Sequence, residues 1–559
     1  MRSDRTLQTG STAPGQLTRR GLTAVGALLL LAGPARAAAA QAVATDYRAL
    51  DDKQLGHLDF IAGIAGRPGG DWSEMGHSEP GQGGFDSYRY QLAMMAYTLY
   101  LANHHYTPAY RDLHQATSQQ LIDKMLRFDV WAFWEETSRG AKMFDPDLKE
   151  LTAGWIDPVK EQNIMYSGHL FQMVTTHAML FNDGRYEQPG AIKFLYNPVG
   201  RGLGPQTFVY DTASLSDVLY KQFERSEWRG IECEPNAIFP ECNQHPILGF
   251  AAQEVRKPTG YFRTVSTHFK QKFDAMKYID PKTQSFMGMY LKRQDRMVYN
   301  ALPWSDGWSG TFMHAWSKAD VEQVYPIQKA NFLVPAEGGT TVKGASYTYS
   351  HDHGFFAALA AEVGDQATRD AMLAYADRYW SPKWDENGLR YPRQDQTKQP
   401  GDAANVFRRV QVLTGNSLIG MARMNVKDGF LDMYNRPRRA AAFSEPFISD
   451  VNYPDTKVSR AIYDPKKEAL VVTLRSATSL VGPQAPRRVS SGSAAWSVNK
   501  LEAARAYGVW RDGRKIAEIR NGAVTPLADT KDSFTLEPSG RIRVTSPLDN
   551  QATFIVARE

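Results

Sequence analysis

From about Asp51 to Lys427 the chain repeats one kind of segment, in which apolar residues recur at three- and four-residue spacing and each run ends at a Gly/Pro-containing loop. Such runs cover Leu55 to Ile64, Tyr88 to Leu101, Leu113 to Phe128, Asn163 to Leu180, Leu215 to Phe223, Gly354 to Val363 and Ala404 to Met421. Roughly a dozen helices fill the region at this spacing. That number is too many for a four-helix bundle, and joining them in pairs predicts an (α/α)6 toroid of six hairpins. No internal sequence repeat accompanies the pattern.

After Arg436 the period shortens from helical to alternating. Leu470 to Leu474, Ala506 to Trp510, Lys515 to Ile519, Arg541 to Thr545 and Thr553 to Ala557 read as strands, and Asp512-Gly513 sits between two of them as a hairpin turn. The Ser-rich stretch Arg487 to Ala495 reads as a loop. The expected architecture is therefore mainly α, a toroid over 44–436 followed by a smaller all-β, sandwich-like domain over 441–559.

The N-terminus carries Thr18-Arg19-Arg20-Gly21-Leu22, an apolar run through Leu31 and then Ala35-Arg36-Ala37. This is the order of a twin-arginine export signal, placed at 1–40 with removal between Ala37 and Val43, and it predicts a periplasmic protein. No later stretch reaches the ~20 apolar residues of a membrane helix. The formal charge of +5 is concentrated here, because the first 37 residues hold five Arg and one Asp. The mature chain is left at +1, which removes the electrostatic case for binding nucleic acid or an anionic membrane.

The only two cysteines of the 559 residues, Cys233 and Cys242, bracket Glu234-Pro235-Asn236-Ala237-Ile238-Phe239-Pro240-Glu241. Two prolines disfavour a continuous helix and predict a shaped loop. The spacing is compatible with a disulfide formed after export and with a working acid/base pair, and does not choose between them. A second informative stretch is Asn163-Ile164-Met165-Tyr166-Ser167-Gly168-His169, opening a helix on which Met165, His169 and Met173 share a face. Asp59 lies among apolar neighbours on the face of Leu55 and Ala62, where a carboxylate has to be paired or hydrogen-bonded.

Taken together, these stretches resemble the linalool dehydratase/isomerase family. The matching text is Glu161 to Leu170, Gly184-Arg185-Tyr186-Glu187, and Cys233-Glu234-Pro235-Asn236 with Phe239 and Cys242-Asn243. Further agreement lies at Asp59-Phe60-Ile61, Arg89-Tyr90 with Ala93, Ala96 and Tyr97, Trp134-Glu135-Glu136, and Leu389-Arg390-Tyr391. The resemblance implies a toroid whose central cavity takes a hydrophobic alkenol, with no metal and no organic cofactor. It also implies a homo-oligomer in which a neighbouring subunit helps close the site. It places the family's catalytic groups on Asp59, His169, Cys233 and Cys242, and substrate contacts on Tyr90, Met165 and Phe239, to which Glu234 and Trp304 are added. Two family tyrosines fall at Ala65 and Trp304, and the β region is an addition.

The residues suit the implied chemistry. Dehydrating a tertiary allylic alcohol takes an acid for the leaving hydroxyl, a base for a carbon-bound proton and walls that tolerate positive charge. Asp59, His169 and the thiols supply the first two, and Tyr90, Phe239 and Trp304 the third. The expected activity is a cofactor-independent hydro-lyase/isomerase acting on a small, terpenoid-like alkenol. Two alternatives stand beside it: a carbohydrate-active toroid enzyme, for which Glu135 with Asp306 is the carboxylate pair on offer, and a non-catalytic terpenoid-binding protein. Trp131, Phe133 and Trp134, like Trp304 and Trp308 around Ser305-Asp306-Gly307, read as aromatic loops. His351-Asp352-His353 reads as a helix-capping loop rather than a metal site, His104-His105 as surface or packing residues, and Tyr347 and Tyr349 as cavity-rim candidates.

Overall fold

The computed structural model describes residues 46–76, 84–198, 200, 202, 204–343, 350–398, 407–479 and 492–559. Residues 1–40, where an export signal is expected, Tyr347 and Tyr349, and residues 487–491 of the Ser-rich stretch lie outside the described residues.

The helical region is built from α1 Asp52–Gly66, α2 Tyr88–His105, α3 Asp112–Met125, α4 Ile164–Phe181, α5 Thr212–Arg225, α6 Pro240–Arg256, α7 Tyr261–Ala275, α8 Pro303–Met313, α9 Lys318–Phe332, α10 Ser350–Val363, α11 Gln366–Tyr379, α12 Ile419–Met424 and α13 Gly429–Asn435. The even-numbered helices α2 to α12 form an inner set in which each contacts the next, and α12 contacts α2. The odd-numbered helices α1 to α11 pack on the outside of that set. Sequence composition sorts the two layers. Every residue of α4 is buried, whereas α7 buries only Val265, Phe269 and Phe273, one stripe at four-residue spacing. Close approach of the inner helices depends on small residues: a Cβ at Gly307 of α8 would stand 2.6 Å from the Phe355 carbonyl carbon of α10.

The β region has ten strands among the described residues: β1 Phe447–Ser449, β2 Thr456–Asp464, β3 Ala469–Ser476, β4 Ser493–Asn499, β5 Tyr507–Arg511, β6 Arg514–Arg520, β7 Ala523–Pro526, β8 Ser533–Leu536, β9 Ile542–Pro547 and β10 Gln551–Arg558. They make two antiparallel sheets, ordered β1-β4-β9-β8 and β2-β3-β10-β5-β6-β7. One core, with Leu470, Val472, Trp496, Val544 and Phe554, is shared by both. Asp512 and Gly513 have φ of 48° and 82°, the left-handed pair that a two-residue hairpin turn demands. The sheets are tied to the helical region through Ala109, whose N–H donates to Ala461 O and whose carbonyl accepts from Ile448 N, each at 2.8 Å.

The structure corrects several expected boundaries. The run Ala404 to Met421 is not one helix: Phe407–Val410 is a strand, and a π-helical turn, Thr414–Leu418, leads into α12. Ser493 to Ala495 open a strand instead of closing a loop. Trp304 and Trp308 stand on α8, and His351 to His353 fall inside the first turn of α10. Of the aromatics before Glu135, Trp131 and Trp134 stand in two four-residue helices and are fully buried, and Phe133 caps the second.

Candidate active site

The segment between the cysteines begins as the predicted shaped loop and ends as a helix. Asn236 adopts φ 78°, and the turn is closed by bonds from Cys233 N to Ala237 O at 2.9 Å and from Ala237 N to Glu234 O at 3.0 Å. The Asn236 side chain donates to Phe144 O at 2.9 Å and accepts from Arg293 N at 2.7 Å. Pro240 then takes the first position of α6, the one helical site where a missing N–H costs nothing, so Cys242 and Glu241 lie in the first turn. Carbonyls of this loop also receive the opening of α4: Asn163 N donates to Cys233 O and Ile164 N to Glu232 O, both at 3.2 Å. The two informative sequence stretches are thus fastened to each other.

They bound a cavity of about 190 Å³. Cys233, Glu234, Glu241 and Cys242 supply its polar wall, and Phe85, Tyr90, Phe239, Trp304 and Trp308, with Met165, its apolar one. Met143 and Phe144 stand at the mouth, where Met143 is 75% exposed. The aromatic wall is interlocked: Tyr90 meets Trp308 edge-on at 5.3 Å and Phe85 meets Trp304 at 4.8 Å. Buried Arg89 lays its guanidinium over the rings of Tyr90 and Phe133 at 4.5 and 4.1 Å and reaches Met165 Sδ at 3.5 Å.

Burial governs the protonation of the polar wall. It pushes Glu234 up to about 7, against the lowering influence of Arg89. Glu241 is held well above the usual carboxylate range by burial, with the charges of Glu234 and Asp306 adding to the effect. Both cysteines are free and buried. Burial raises both thiols, and a hydrogen bond between them raises Cys233 further while favouring the thiolate on Cys242. The wall therefore holds three protons firmly and one in balance near neutral pH.

His169 stands one layer behind this surface. Its ring meets Tyr90 edge-on at 5.7 Å and lies 3.7 Å from the ring of His245. Nδ1 pairs with the Tyr97 hydroxyl at 2.9 Å, and Nε2 has no hydrogen-bond partner. Burial lowers its pKa to about 3, so the ring is neutral.

Asp59 does not line the cavity. It projects from outer helix α1, where its carboxylate accepts from Lys457 Nζ at 2.5 Å and Tyr453 OH at 3.0 Å, both in the β region. Pairing was the expectation for a carboxylate in this setting, but the partner comes from the appended sheets. Neither member of the Glu135 and Asp306 pair lines the cavity: Asp306 is fully buried and accepts from Phe286 N at 2.7 Å, and Glu135 accepts from Tyr196 OH at 3.0 Å. His353 pairs with Thr341 Oγ1 and Met372 O at 3.2 and 3.0 Å, and His105 with Gly429 O at 3.0 Å, all packing contacts.

Sequence reasoning gave no site role to Glu241, Trp308 or His245. Each carried a positional signal: Glu241 adjoins Cys242, Trp308 follows Trp304 by one helical turn, and His245 follows Cys242 at i+3 on the same helix.

The fold and site define a mainly helical protein, with an added C-terminal β region, whose inner helices carry an aromatic cavity with an acid/base wall. The linalool dehydratase/isomerase family model matches residues 89–397, 309 of the 559 residues, and the chain belongs to that family. Among solved structures, an inactive variant of an α-1,6-mannanase of Salegentibacter is 10% identical over 68% of this chain and 100% of its own, with a TM-score of 0.36. A mannosidase of Bacteroides thetaiotaomicron is 8% identical over 69% and 100% of the two chains, TM-score 0.35. An endoglucanase of Clostridium thermocellum is 9% identical over 84% and 83%, TM-score 0.32. Likeness at this level bears on neither substrate nor mechanism. No helix among the described residues is long and apolar enough to cross a membrane.

Proposed function

We propose that residues 44–436 form an (α/α)6 toroid acting as a hydro-lyase/isomerase on a small hydrophobic alkenol, with 441–559 as a β domain that braces it. The observation carrying this reading is the convergence of two carboxyl groups and two thiols on one small aromatic cavity. Its volume of about 190 Å³ is below the roughly 300–1,000 Å³ of drug-sized pockets, which favours a compact substrate.

In the reaction we envisage, protonated Glu241 gives its proton to the hydroxyl oxygen, the C–O bond breaks and water leaves. The positive charge developing on carbon faces Tyr90, Phe239 and Trp304. Glu234, as carboxylate, takes a proton from the neighbouring carbon and the C–H electron pair becomes the new double bond. The coupled thiols pass that proton back towards Glu241, restoring the starting state. His169, behind Tyr90, positions that ring. Periplasmic placement and a homo-oligomer with the site near a subunit interface belong to the same reading. Cell fractionation and sedimentation velocity test them directly.

The decisive assay offers a panel of tertiary allylic alcohols, including ones shorter and bulkier than linalool, and follows alkene formation by gas chromatography. Turnover of at least one alkenol, cut about a hundredfold in Glu241→Gln, is the expected result. Binding without turnover would make the protein a terpenoid carrier, and cleavage of a polysaccharide with no alkenol turnover would move it to the carbohydrate-active class.

A further inference from the structure

At the far end of α8 from the cavity, Glu362 is wholly buried and accepts four hydrogen bonds. Its Oε1 receives His314 Nδ1 at 3.0 Å and Leu431 N at 3.3 Å, and its Oε2 receives Asn425 Nδ2 at 2.8 Å and Phe430 N at 2.9 Å. A carboxylate offers only acceptors, so His314 carries its proton on Nδ1 and turns the lone pair of Nε2 the other way. The His314 side chain is 0% exposed, and Nε2 has no hydrogen-bond partner. An unsatisfied lone pair in the interior is costly and calls for an explanation.

Facing it are carboxylate oxygens of Glu322 at 3.7 Å and Asp428 at 3.8 Å. Those distances are too long for hydrogen bonds. They are a few tenths of an ångström longer than the about 3.4 Å between two ligands of a tetrahedral ion at about 2.1 Å, so small shifts of the two partly exposed carboxylates close the site. The three ligand atoms all lie within 4.8 Å of one another. Lys318 Nζ now serves this cluster, 2.6 Å from Asp428 and 3.5 Å from Glu322. Three carboxylates against one ammonium leave a formal charge of −2, the charge that a divalent cation cancels.

We propose that His314, Glu322 and Asp428 bind a divalent transition-metal ion, with Glu362 fixing the imidazole and Lys318 as the ammonium the ion displaces. One imidazole with two carboxylates suits Zn²⁺ or its first-row neighbours, whereas Mg²⁺ and Ca²⁺ take all-oxygen sets. A carboxylate donated the other imidazole N–H is the usual support behind a metal-bound histidine. Glu322 and Asp428 are 44% and 23% exposed, so the ion has an entry path and room for water as a fourth ligand. The site ties the end of α8 to α9 and to the turn before α13. His314 follows Trp304 by ten residues, roughly 15 Å along the helix, which makes this a structural site apart from the cavity.

The test loads the full chain with ZnCl₂, removes excess by gel filtration, and measures zinc content together with calorimetric titration and thermal melting. One zinc per chain and a melting temperature raised by zinc are expected. Glu322→Gln, a partly exposed change that leaves the buried histidine in place, weakens binding at least about tenfold. Lys318→Met tightens it, because the competing ammonium is gone. Cobalt substitution in Lys318→Met gives visible d–d bands that are lost in His314→Gln. Zinc content near zero in both wild type and Lys318→Met, or equal uptake in Glu322→Gln and wild type, would overturn the proposal. The cluster would then be an ion-pair network that Lys318→Met merely destabilises.

Discussion

The indole N–H of Trp308 donates to Nε2 of His245 across 2.7 Å, so one wall of the cavity is pinned to the histidine that stacks on His169. The bond also fixes a chain behind it. With Nε2 accepting, His245 must donate from Nδ1 to Gln172 Oε1 at 2.7 Å, and Gln172 Nε2 donates to Tyr434 OH at 2.7 Å.

Trp308→Phe keeps an aromatic side chain but removes the indole donor and part of the ring volume, leaving a buried nitrogen unsatisfied. The expected loss is about 1–3 kcal/mol in denaturant unfolding. Unfolding midpoints indistinguishable from wild type would show that the cavity wall does not depend on this bond.

Glu234 gives the pH prediction. Its folded pKa, about 7, lies above its ordinary value of 4.5. A raised carboxyl favours the folded state fully below the ordinary value, and that contribution is lost as pH climbs towards the folded value. The Glu234 contribution to stability should therefore fall between pH 4.5 and 7 and level off above, while turnover rises through about 7 as the carboxylate forms. Glu234→Gln should flatten both profiles, measured by urea titration and by initial rates. Unchanged profiles in that variant would assign the pH dependence to other groups.

Cys233→Ser and Cys242→Ser should each lower turnover about a hundredfold if the thiols relay protons. Because the two thiols form no disulfide and serine keeps a hydrogen-bonding group at either position, melting temperatures should change little. Near-normal rates with clearly lowered melting would return both cysteines to a structural role.

Asp59→Ala removes the carboxylate facing Lys457, an ammonium on a side chain only 4% exposed. We expect a loss of about 3 kcal/mol in stability with turnover retained. A hundredfold fall in turnover at unchanged stability would instead place Asp59 in catalysis, reaching a neighbouring subunit's cavity.

The helices were legible from apolar spacing of three and four, whereas their layering shows in burial, which is complete around α4 and confined to one stripe of α7. The strands were legible from alternation and from Asp512-Gly513. What the sequence hid was tertiary. A strand at Phe407–Val410 and a π-turn at Thr414–Leu418 interrupt a pattern that reads as one helix, since short apolar runs suit either form. The resemblance groups Asp59 with the thiols, and its apolar neighbours say only that the carboxylate has a partner, not which one, since Lys457 lies almost four hundred residues away in sequence. His169 shares a helix face with Met165, yet periodicity does not distinguish the surface of a cavity from the layer behind it.

Contact between α12 and α2 joins segments more than three hundred residues apart, and this has a cost in time. Closing so long a loop adds little to its entropy, about 0.6 kcal/mol per doubling of length, but contacts of such long range slow folding. A chain made from its N-terminus has completed α2 long before α12 exists to cover it. During that interval the inner helices, buried in the finished fold, lack their last neighbour, so nascent chains arrested before Met424 should be the aggregation-prone species, whereas chains released beyond it can close.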